Sequence, residues 1–291
     1  MRIEESELII NDDGSIYHLN LKPGEIADIV ITVGDPNRVD RVTQYFDEIE
    51  FTREKREFKT TTGSLNGKRI SVISTGIGTD NIDIVLNELD ALVNIDFDGR
   101  IIKPNKTSLN IIRIGTCGGI QEDIDVGDFV VSKYGIGFDG LLHFYEDDKS
   151  ETTLASALQT HLNWPDNMTK PYVYKADEHL IKCLSSGSTF SGMTATNCGF
   201  YGPQGRKLRL NAADQKMNDK LLTFSYEGNR ITNLEMETAG IYGLSALLGH
   251  KALSMNVILA NRANGTFSKE PKTDVKKLIE YTLEKITSSN L

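Results

Sequence analysis

Two carboxylates flank a thioether in the tripeptide Glu235-Met236-Glu237, which lies in the stretch LEMETAGIYG. The residue pattern predicts that a strand passes into a helix here, and alternate residues of a strand face the same side. Glu235 and Glu237 are therefore expected to point the same way if the strand extends that far. Ionised carboxylates accept hydrogen bonds from hydroxyl groups, and methionine offers an apolar surface beside them. The tripeptide thus suits a sugar, although a glutamate can also simply begin a helix, where its charge suits the helix dipole.

Three arginines stand near glycine-rich turns or a predicted hairpin. Arg38 follows the turn at Gly34 by one helical turn, and Arg113 ends an apolar strand that enters Gly115. Arg56 precedes the hairpin. Each has a structural alternative: a helix-surface arginine, a core ion pair or a solvated charge. An arginine in an apolar strand needs a partner, and helix starts attract anions. Together the three arginines favour a phosphate-sized anion, which a guanidinium matches with its planar fork of donors.

The segment FYGPQGR, residues 200–206, carries side chains suited to a heterocyclic base. Gln204 offers one donor and one acceptor, and Arg206 offers donors only. That combination matches the O–N–O edge of a pyrimidine-dione, and Phe200 can stack on its ring. A Gly/Pro surface loop with an incidental glutamine and arginine is an equal alternative.

Other familiar catalytic motifs are missing from the sequence. It contains no GxxxxGK[ST] phosphate loop, and Gly76-Ile77-Gly78 lacks the rest of a dinucleotide fingerprint. It contains no GxSxG nucleophile motif. Cys117 is predicted to be buried and unreactive. A covalent nucleophile is therefore not expected.

The composition excludes several classes of protein. The 291 residues carry a net charge of −9, which disfavours general nucleic-acid binding. The three cysteines are widely spaced and predict neither a disulfide framework nor a zinc site. The acidic opening MRIEESELII is unlike a signal peptide, and no apolar run reaches the length of a membrane span. We expect a cytoplasmic protein without membrane or nucleic-acid partners.

Strand-like and helix-like segments alternate along the chain, which predicts an α/β fold with a mostly parallel or mixed sheet. Asn66-Gly67 predicts a hairpin turn, and 115–119 is interpreted as a glycine-rich turn. Two segments, 96–109 and 147–170, are interpreted as surface excursions or interface elements on a single domain spanning 1–291. The predicted strands are 28–33, 58–65, 68–75, 110–114, 127–132, 188–196, 231–236 and 252–260, and the predicted helices start near Pro36, 81, 237 and 274.

In combination these motifs resemble the nucleoside phosphorylase-I family, and most closely its uridine phosphorylase branch. The resemblance implies a mixed central β-sheet flanked by helices in three layers, and reversible phosphorolysis of a nucleoside. The matching segments run in the family's order: VGDPNRV (33–39), REF (56–58), STGIG (74–78), IRIGTCGGI (112–120), FDGLLHF (138–144), FYGPQGR (200–206), EMETAGIYG (235–243) and NR (261–262).

The resemblance also implies a role for each matching residue. The implied phosphate ligands are Gly34, Arg38, Arg113 and Thr116, with Arg56 lent by a neighbouring subunit. The implied ribose ligands are Thr116, Glu235, Met236 and Glu237, with His18 supplied across a dimer. The implied base ligands are Phe200, Gln204 and Arg206, and Arg262 resembles a residue that helps close the site.

Local departures from the family bear on the substrate and on metal binding. Purine members use an Asp after the late strand, where this chain has 261–264 (NRAN), which favours a pyrimidine. AGIYG (239–243) is by contrast similar to the purine branch, and Gly202-Pro203 reverses the usual Pro-Gly of the uridine enzymes. The alkali-metal ligands of some members include a Ser where this chain has Asn81, so no metal is expected.

The implied reaction is attack of phosphate on ribose C1′ while uracil leaves as an anion, within pyrimidine nucleoside salvage. Uridine, or deoxyuridine, and inorganic phosphate are the implied substrates, and no organic cofactor is required. The implied catalytic residues are Arg206, Gln204, Arg113 and Glu237. The alternatives are a purine nucleoside phosphorylase, a hydrolytic nucleosidase, or a nucleoside-binding protein without turnover. A homo-oligomer is expected: at least a dimer that shares its active sites, with a hexamer built of dimers implied by the resemblance.

Overall fold

The computed structural model describes residues 2–291, in which a mixed β-sheet is flanked by helices. The strands are β1 Ile29–Val33, β2 Glu48–Lys55, β3 Phe58–Leu65, β4 Lys68–Ser74, β5 Ile95–Asp96, β6 Ile101–Ile102, β7 Asn110–Gly119, β8 Phe129–Gly137, β9 Tyr172–Lys175, β10 Thr189–Thr196, β11 Ser225–Tyr226, β12 Asn229–Glu235, β13 Lys251–Asn261 and β14 Thr266–Phe267. The α-helices are α1 Pro36–Thr43, α2 Thr79–Asn94, α3 Thr152–Leu162, α4 Glu178–Leu184, α5 Met217–Thr223, α6 Thr238–Leu248 and α7 Pro271–Ser288.

The main sheet has 12 strands, drawn from both halves of the chain. Its order is β11-β12-β10-β8-β13-β7-β1-β4-β3-β2, with β9 beside β8 and β14 beside β13. The sheet contains both parallel pairs, such as β1–β4 and β7–β13, and antiparallel pairs, such as β8–β13. The predicted mixed sheet with flanking helices is confirmed. The single domain over 1–291 stays a prediction, which the shared sheet supports.

One additional pairing closes part of this sheet into a ring. β12 pairs antiparallel with β7, through Asn233 with Gly119 and Leu234 with Gly118. Strands β7, β13, β8, β10 and β12 thereby form a closed circuit of neighbours. The closure places the glycine-rich end of β7 directly against the strand that ends at Glu235.

Local patterns explain the elements that the sequence predicted best. All five residues of β1 are buried, as expected of an apolar, β-branched run inside a sheet. The hairpin β3–β4 turns at Asn66 and Gly67, whose φ angles of 49° and 76° are those of a two-residue hairpin loop. Helix α1 begins at Pro36, and the side chain of Asp35 caps it by accepting from the N–H of Asn37 at 2.9 Å.

Two interpretations from the sequence are wrong. Residues 115–119 form no turn, because β7 continues through them to Gly119 and pairs there with β13 and β12. The segment 147–170 is not merely a surface excursion. It contains α3, whose leucines Leu154, Leu158 and Leu162 are buried in an apolar cluster. The segment 96–109 is largely exposed, and β6 within it pairs with β5.

Gly135 allows β8 to pack closely against the start of α6. A Cβ at this position would lie 2.8 Å from the Cα and 3.0 Å from the amide nitrogen of Ala239. Because both atoms belong to the backbone, Gly135→Ala is expected to lower the free energy of unfolding by about 1–3 kcal/mol. Urea denaturation measures this, and Gly187→Ala is the matched control, since a Cβ there meets nothing within 4 Å. Equal stability of the two variants would contradict the close packing.

Candidate active site

A cavity of about 600 Å³ lies where β1, β4 and β12 end and β7 passes beneath. This is the edge at which open α/β sheets generally bind ligands. The cavity brings together most of the side chains singled out in the sequence: Gly34, Arg38, Arg113, Thr116, Phe200, Gln204, Arg206, Glu235, Met236 and Glu237.

Arg38 and Arg113 form a positive region at one end of the cavity. The turn from β1 into α1 carries Arg38, whose guanidinium donates to the carbonyl oxygen of Ile114 at 3.2 Å. Burial, and then the nearby charge of Arg113, lower the pKa of Arg38 to about 10. Nε of Arg38 and NH1 of Arg113 are buried and have no hydrogen-bond partner among residues 2–291. These donors fit an anion, because unsatisfied buried donors are costly.

Arg113 also forms a buried ionic network with both glutamates. Its NH2 hydrogen-bonds Oε2 of Glu237, and its Nε lies 3.4 Å from Oε2 of Glu235. Each of the three residues is only 4% exposed. Burial acts to lower the pKa of Arg113, but the charges of Glu237 and Glu235 outweigh it and raise the pKa above its ordinary value. Arg113 therefore takes part in a buried ion pair and also has a free N–H donor in a residue that lines the cavity.

The two carboxylates converge on Arg113, although β12 ends at Glu235 and the strand alternation expected from the sequence does not reach Glu237. Glu235 accepts from Oγ1 of Thr196 at 2.6 Å and from the N–H groups of Glu237 and Thr238 at the start of α6. It therefore also fills the helix-starting role that the sequence left open. Oε1 of Glu237 accepts from the N–H of Gly78 at 2.8 Å. These contacts hold both carboxylates in place beside Met236.

The loop 200–206 lines the cavity through Phe200, Gln204 and Arg206. NH1 of Arg206 donates to Oε1 of Gln204 at 2.7 Å and to the carbonyl oxygen of Phe200 at 2.6 Å. The guanidinium lies 3.6 Å from the centre of the Phe200 ring, and Phe200 is 50% exposed. Burial, and then the charge of Arg262, lower the pKa of Arg206 to about 10. An anionic ligand beside Arg206 and Arg262 would favour the charged form of both guanidinium groups.

Three predicted residues do not line the cavity. Arg262 lies behind the loop and donates to the carbonyl oxygen of Gln204 at 3.3 Å. Arg56 is exposed in the turn between β2 and β3, 6.0 Å from the centre of the Tyr17 ring. His18 stacks edge-on against Tyr17 and shares a 2.6 Å hydrogen bond between Nδ1 and Glu88. Arg56 and His18 therefore lie together on a surface outside the cavity of their own chain.

Several lining residues received no role from the sequence. Gly76 and Ile77 follow β4, in a glycine-rich segment after a strand that could have indicated them. Leu259, Ala260 and Phe267 come from β13 and β14 and carry no local signal. Cys117 also lines the cavity. Burial raises the pKa of its thiol, which agrees with the predicted unreactive cysteine.

The residues described offer no obvious metal centre. No group of three or more His, Cys, Asp or Glu side chains within 2–291 could hold a metal ion. None of the helices in this range combines the length and apolar character needed to cross a membrane.

Comparison with known protein sequences identifies the family of this chain. A profile of the phosphorylase superfamily matches residues 28–288, so the chain belongs to that superfamily. A uridine phosphorylase of Thermococcus kodakarensis is 30% identical over 284 residues, covering 94% of this chain and 90% of that protein. A DeoD-type purine nucleoside phosphorylase of Bacillus subtilis is 26% identical, covering 93% and 98%.

Solved structures show the same fold. A nucleoside phosphorylase of Trypanosoma brucei, described as showing uridine phosphorylase activity, superposes with a TM-score of 0.86. It is 30% identical, with 97% of this chain and all of that chain covered. A structure from a study of two uridine phosphorylases of Phytophthora capsici has a TM-score of 0.71 at 25% identity, with both chains fully covered. The protein is thus a nucleoside phosphorylase-like member of the superfamily.

Proposed function

We propose that this protein catalyses the reversible phosphorolysis of uridine to uracil and ribose 1-phosphate. The observation that carries the proposal is that one cavity brings together three sets of groups. They are two arginines with unpaired buried donors, the tripeptide Glu235-Met236-Glu237, and the loop with Gln204 and Arg206. These three sets suit the phosphate, the ribose and the base of the reacting substrates.

In the proposed mechanism, phosphate attacks C1′ of the ribose as the glycosidic bond breaks. Arg38 and Arg113 hold the phosphate, whose negative charge supports the cation-like sugar. Glu237 and Met236 fix the ribose pose, which is a positioning role. Gln204 and Arg206 stabilise the negative charge that builds on the departing uracil. Thr116 and Gly34 line the phosphate end, and Phe200 lies against the base.

A pyrimidine base is favoured by the residues that follow β13. Asn261 occupies a structural role, since its Nδ2 donates to the carbonyl oxygens of Gln121 at 2.8 Å and Ile124 at 2.6 Å. The next residue is Arg262, whose guanidinium keeps its proton at neutral pH and cannot act as an acid toward a purine ring. This position therefore offers no carboxylic acid to protonate a purine.

We also propose that the enzyme works as at least a dimer that shares its sites. His18 and Arg56 lie on one surface, both against Tyr17, and neither reaches the cavity of its own chain. A second copy with this surface at the cavity mouth would add Arg56 to the phosphate and His18 to the ribose. The proposed site is incomplete without that copy.

The deciding experiment follows uracil release from uridine by ultraviolet absorbance, with and without inorganic phosphate. Release that depends on phosphate is the expected result. Release without phosphate would instead identify a hydrolase. The second candidate is a purine nucleoside phosphorylase, which the Bacillus subtilis relative favours. Inosine is therefore assayed in parallel, and turnover of inosine alone would replace uridine as the proposed substrate.

A further inference from the structure

The loop 200–206 is held from outside at a single atom, the carbonyl oxygen of Gln204. Nδ2 of Asn218 donates to this oxygen at 3.2 Å, and NH2 of Arg262 donates to it at 3.3 Å. The other hydrogen bonds of the loop within residues 2–291 are internal, such as those that Tyr201 accepts from Gln204 and Arg206. The position of the loop therefore depends on these two donors.

Side-chain packing adds little support behind the loop. A second cavity of about 450 Å³ lies there, with Gly202 and Pro203 on the loop side. Trp164 lies after α3, and Met217 and Leu221 lie on α5, across the same cavity. A loop backed by open volume lacks the dense contacts that usually fix a wall. Gln204 is the one buried residue of the loop, at 3% exposure, so the hydrogen bonds to its carbonyl oxygen act at the point where the loop is fixed.

The backbone conformation of the loop at Gly205 permits the contact with Asn218. Gly205 has a φ of 69°, and a Cβ there would lie 2.6 Å from Nδ2 of Asn218. Only glycine allows this approach in this left-handed conformation. Asn218 lies in the first turn of α5, which Leu221 anchors in the core at 2% exposure. Nζ of Lys220 ties the same helix to the carbonyl oxygen of Leu162 at 3.1 Å.

We infer that Asn218 is a positioning residue that sets the affinity for the nucleoside base. By holding Gln204 it also places Arg206, because NH1 of Arg206 donates to Oε1 of Gln204. Asn218 itself does not line the 600 Å³ cavity. The inference rests on the proposed function, and it adds a residue of α5 to the base-binding end of that site.

The test measures the KM for uridine and the KM for phosphate in Asn218→Ala and Asn218→Asp. Loss of one hydrogen bond is expected to raise the KM for uridine about tenfold in Asn218→Ala. Asn218→Asp should raise it further, since a carboxylate cannot donate to the carbonyl oxygen of Gln204 and repels it. The KM for phosphate should stay within about twofold of the wild type, because the arginines that bind phosphate are untouched.

The matched control is Asn229→Ala. Asn229 also donates from Nδ2 to a backbone carbonyl oxygen, that of Glu227 at 3.3 Å, at the far end of β12. This variant is expected to keep both KM values. Equal rises in the KM for uridine and for phosphate in Asn218→Ala would indicate general damage and overturn the inference, as would an unchanged KM for uridine.

A second measurement separates this inference from the proposed function. Calorimetric titration of uracil and of hypoxanthine into the wild type and Asn218→Ala needs no turnover. Weaker binding of whichever base the wild type binds supports Asn218 as a positioning residue, even if uridine is not the substrate. Unchanged affinity for that base, or no binding of either base by the wild type, overturns the inference.

Discussion

Replacement of Arg206 by alanine is expected to lower kcat/KM for uridine by about 10²–10³-fold, the usual effect of removing one donor to a developing anion. The guanidinium is half-enclosed by the loop 200–206 and stacks on Phe200. It is therefore positioned before the uracil departs, which makes its charge more effective than that of a solvated arginine. Steady-state kinetics with uridine at saturating phosphate measures the loss.

The same variant should bind phosphate normally. Arg206 belongs to the loop 200–206 and hydrogen-bonds within it, whereas Arg38 and Arg113 stand on α1 and β7, so the Kd for phosphate, measured by calorimetry, should change by less than about twofold. The control is Arg209→Ala, an exposed arginine three residues further along, which should leave kcat/KM unchanged. If Arg206→Ala loses phosphate affinity and turnover to the same degree, the assignment of Arg206 to the base is wrong.

Replacement of Arg113 by methionine is expected to affect both stability and activity. It leaves Glu235 and Glu237 buried without their cation, and breaking a buried pair typically lowers the free energy of unfolding by about 3–5 kcal/mol. The KM for phosphate should rise by about 100-fold, since a charge-assisted contact is lost. Urea denaturation measures the first effect, and kinetics with varied phosphate measures the second.

A double variant separates these two roles. Arg113→Met combined with Glu237→Gln removes one uncompensated charge, so it should recover part of the stability but none of the phosphate affinity. Arg53→Met is the surface control, because Arg53 pairs with Glu25 at 3.0 Å in an exposed position, where such pairs contribute about 1 kcal/mol or less. An Arg113→Met protein as stable as this control would refute the buried network.

Elements with a strong local pattern were predictable from the sequence. The buried strand β1 and the hairpin around Asn66 follow from β-branched runs and turn chemistry that act over a few residues. Residues 115–119 were misinterpreted because their three glycines favour turns locally, whereas pairing with β13 and β12 on either side holds them in a strand. In α3 the polar residues between the leucines obscured an apolar stripe at helical spacing.

Many of the residues that line the candidate site could be predicted from the sequence, but the contacts between them could not. Short motifs at the ends of predicted strands and in a loop indicated each of four residues separately as a candidate ligand-binding residue: Arg38, Arg113, Glu237 and Arg206. The pairing of Arg113 with two glutamates depends on the closure of β12 onto β7, which joins distant parts of the chain. Leu259 and Phe267 enter the cavity through β13 and β14, and no short-range pattern reports such an arrangement.

The closed ring of strands has a consequence for how this protein can change over evolutionary time. Arg113 and Glu235 stand on strands of that ring and share a buried ionic contact of 3.4 Å, so a substitution at one of them leaves the charge of the other uncompensated. The loop 200–206 is not one of the paired strands, and the hydrogen bonds that it receives from other segments end at the carbonyl oxygen of Gln204. Substitutions within the loop can therefore accumulate without disturbing that ring, whereas a substitution at Arg113 or Glu235 has to be matched by a change at its partner.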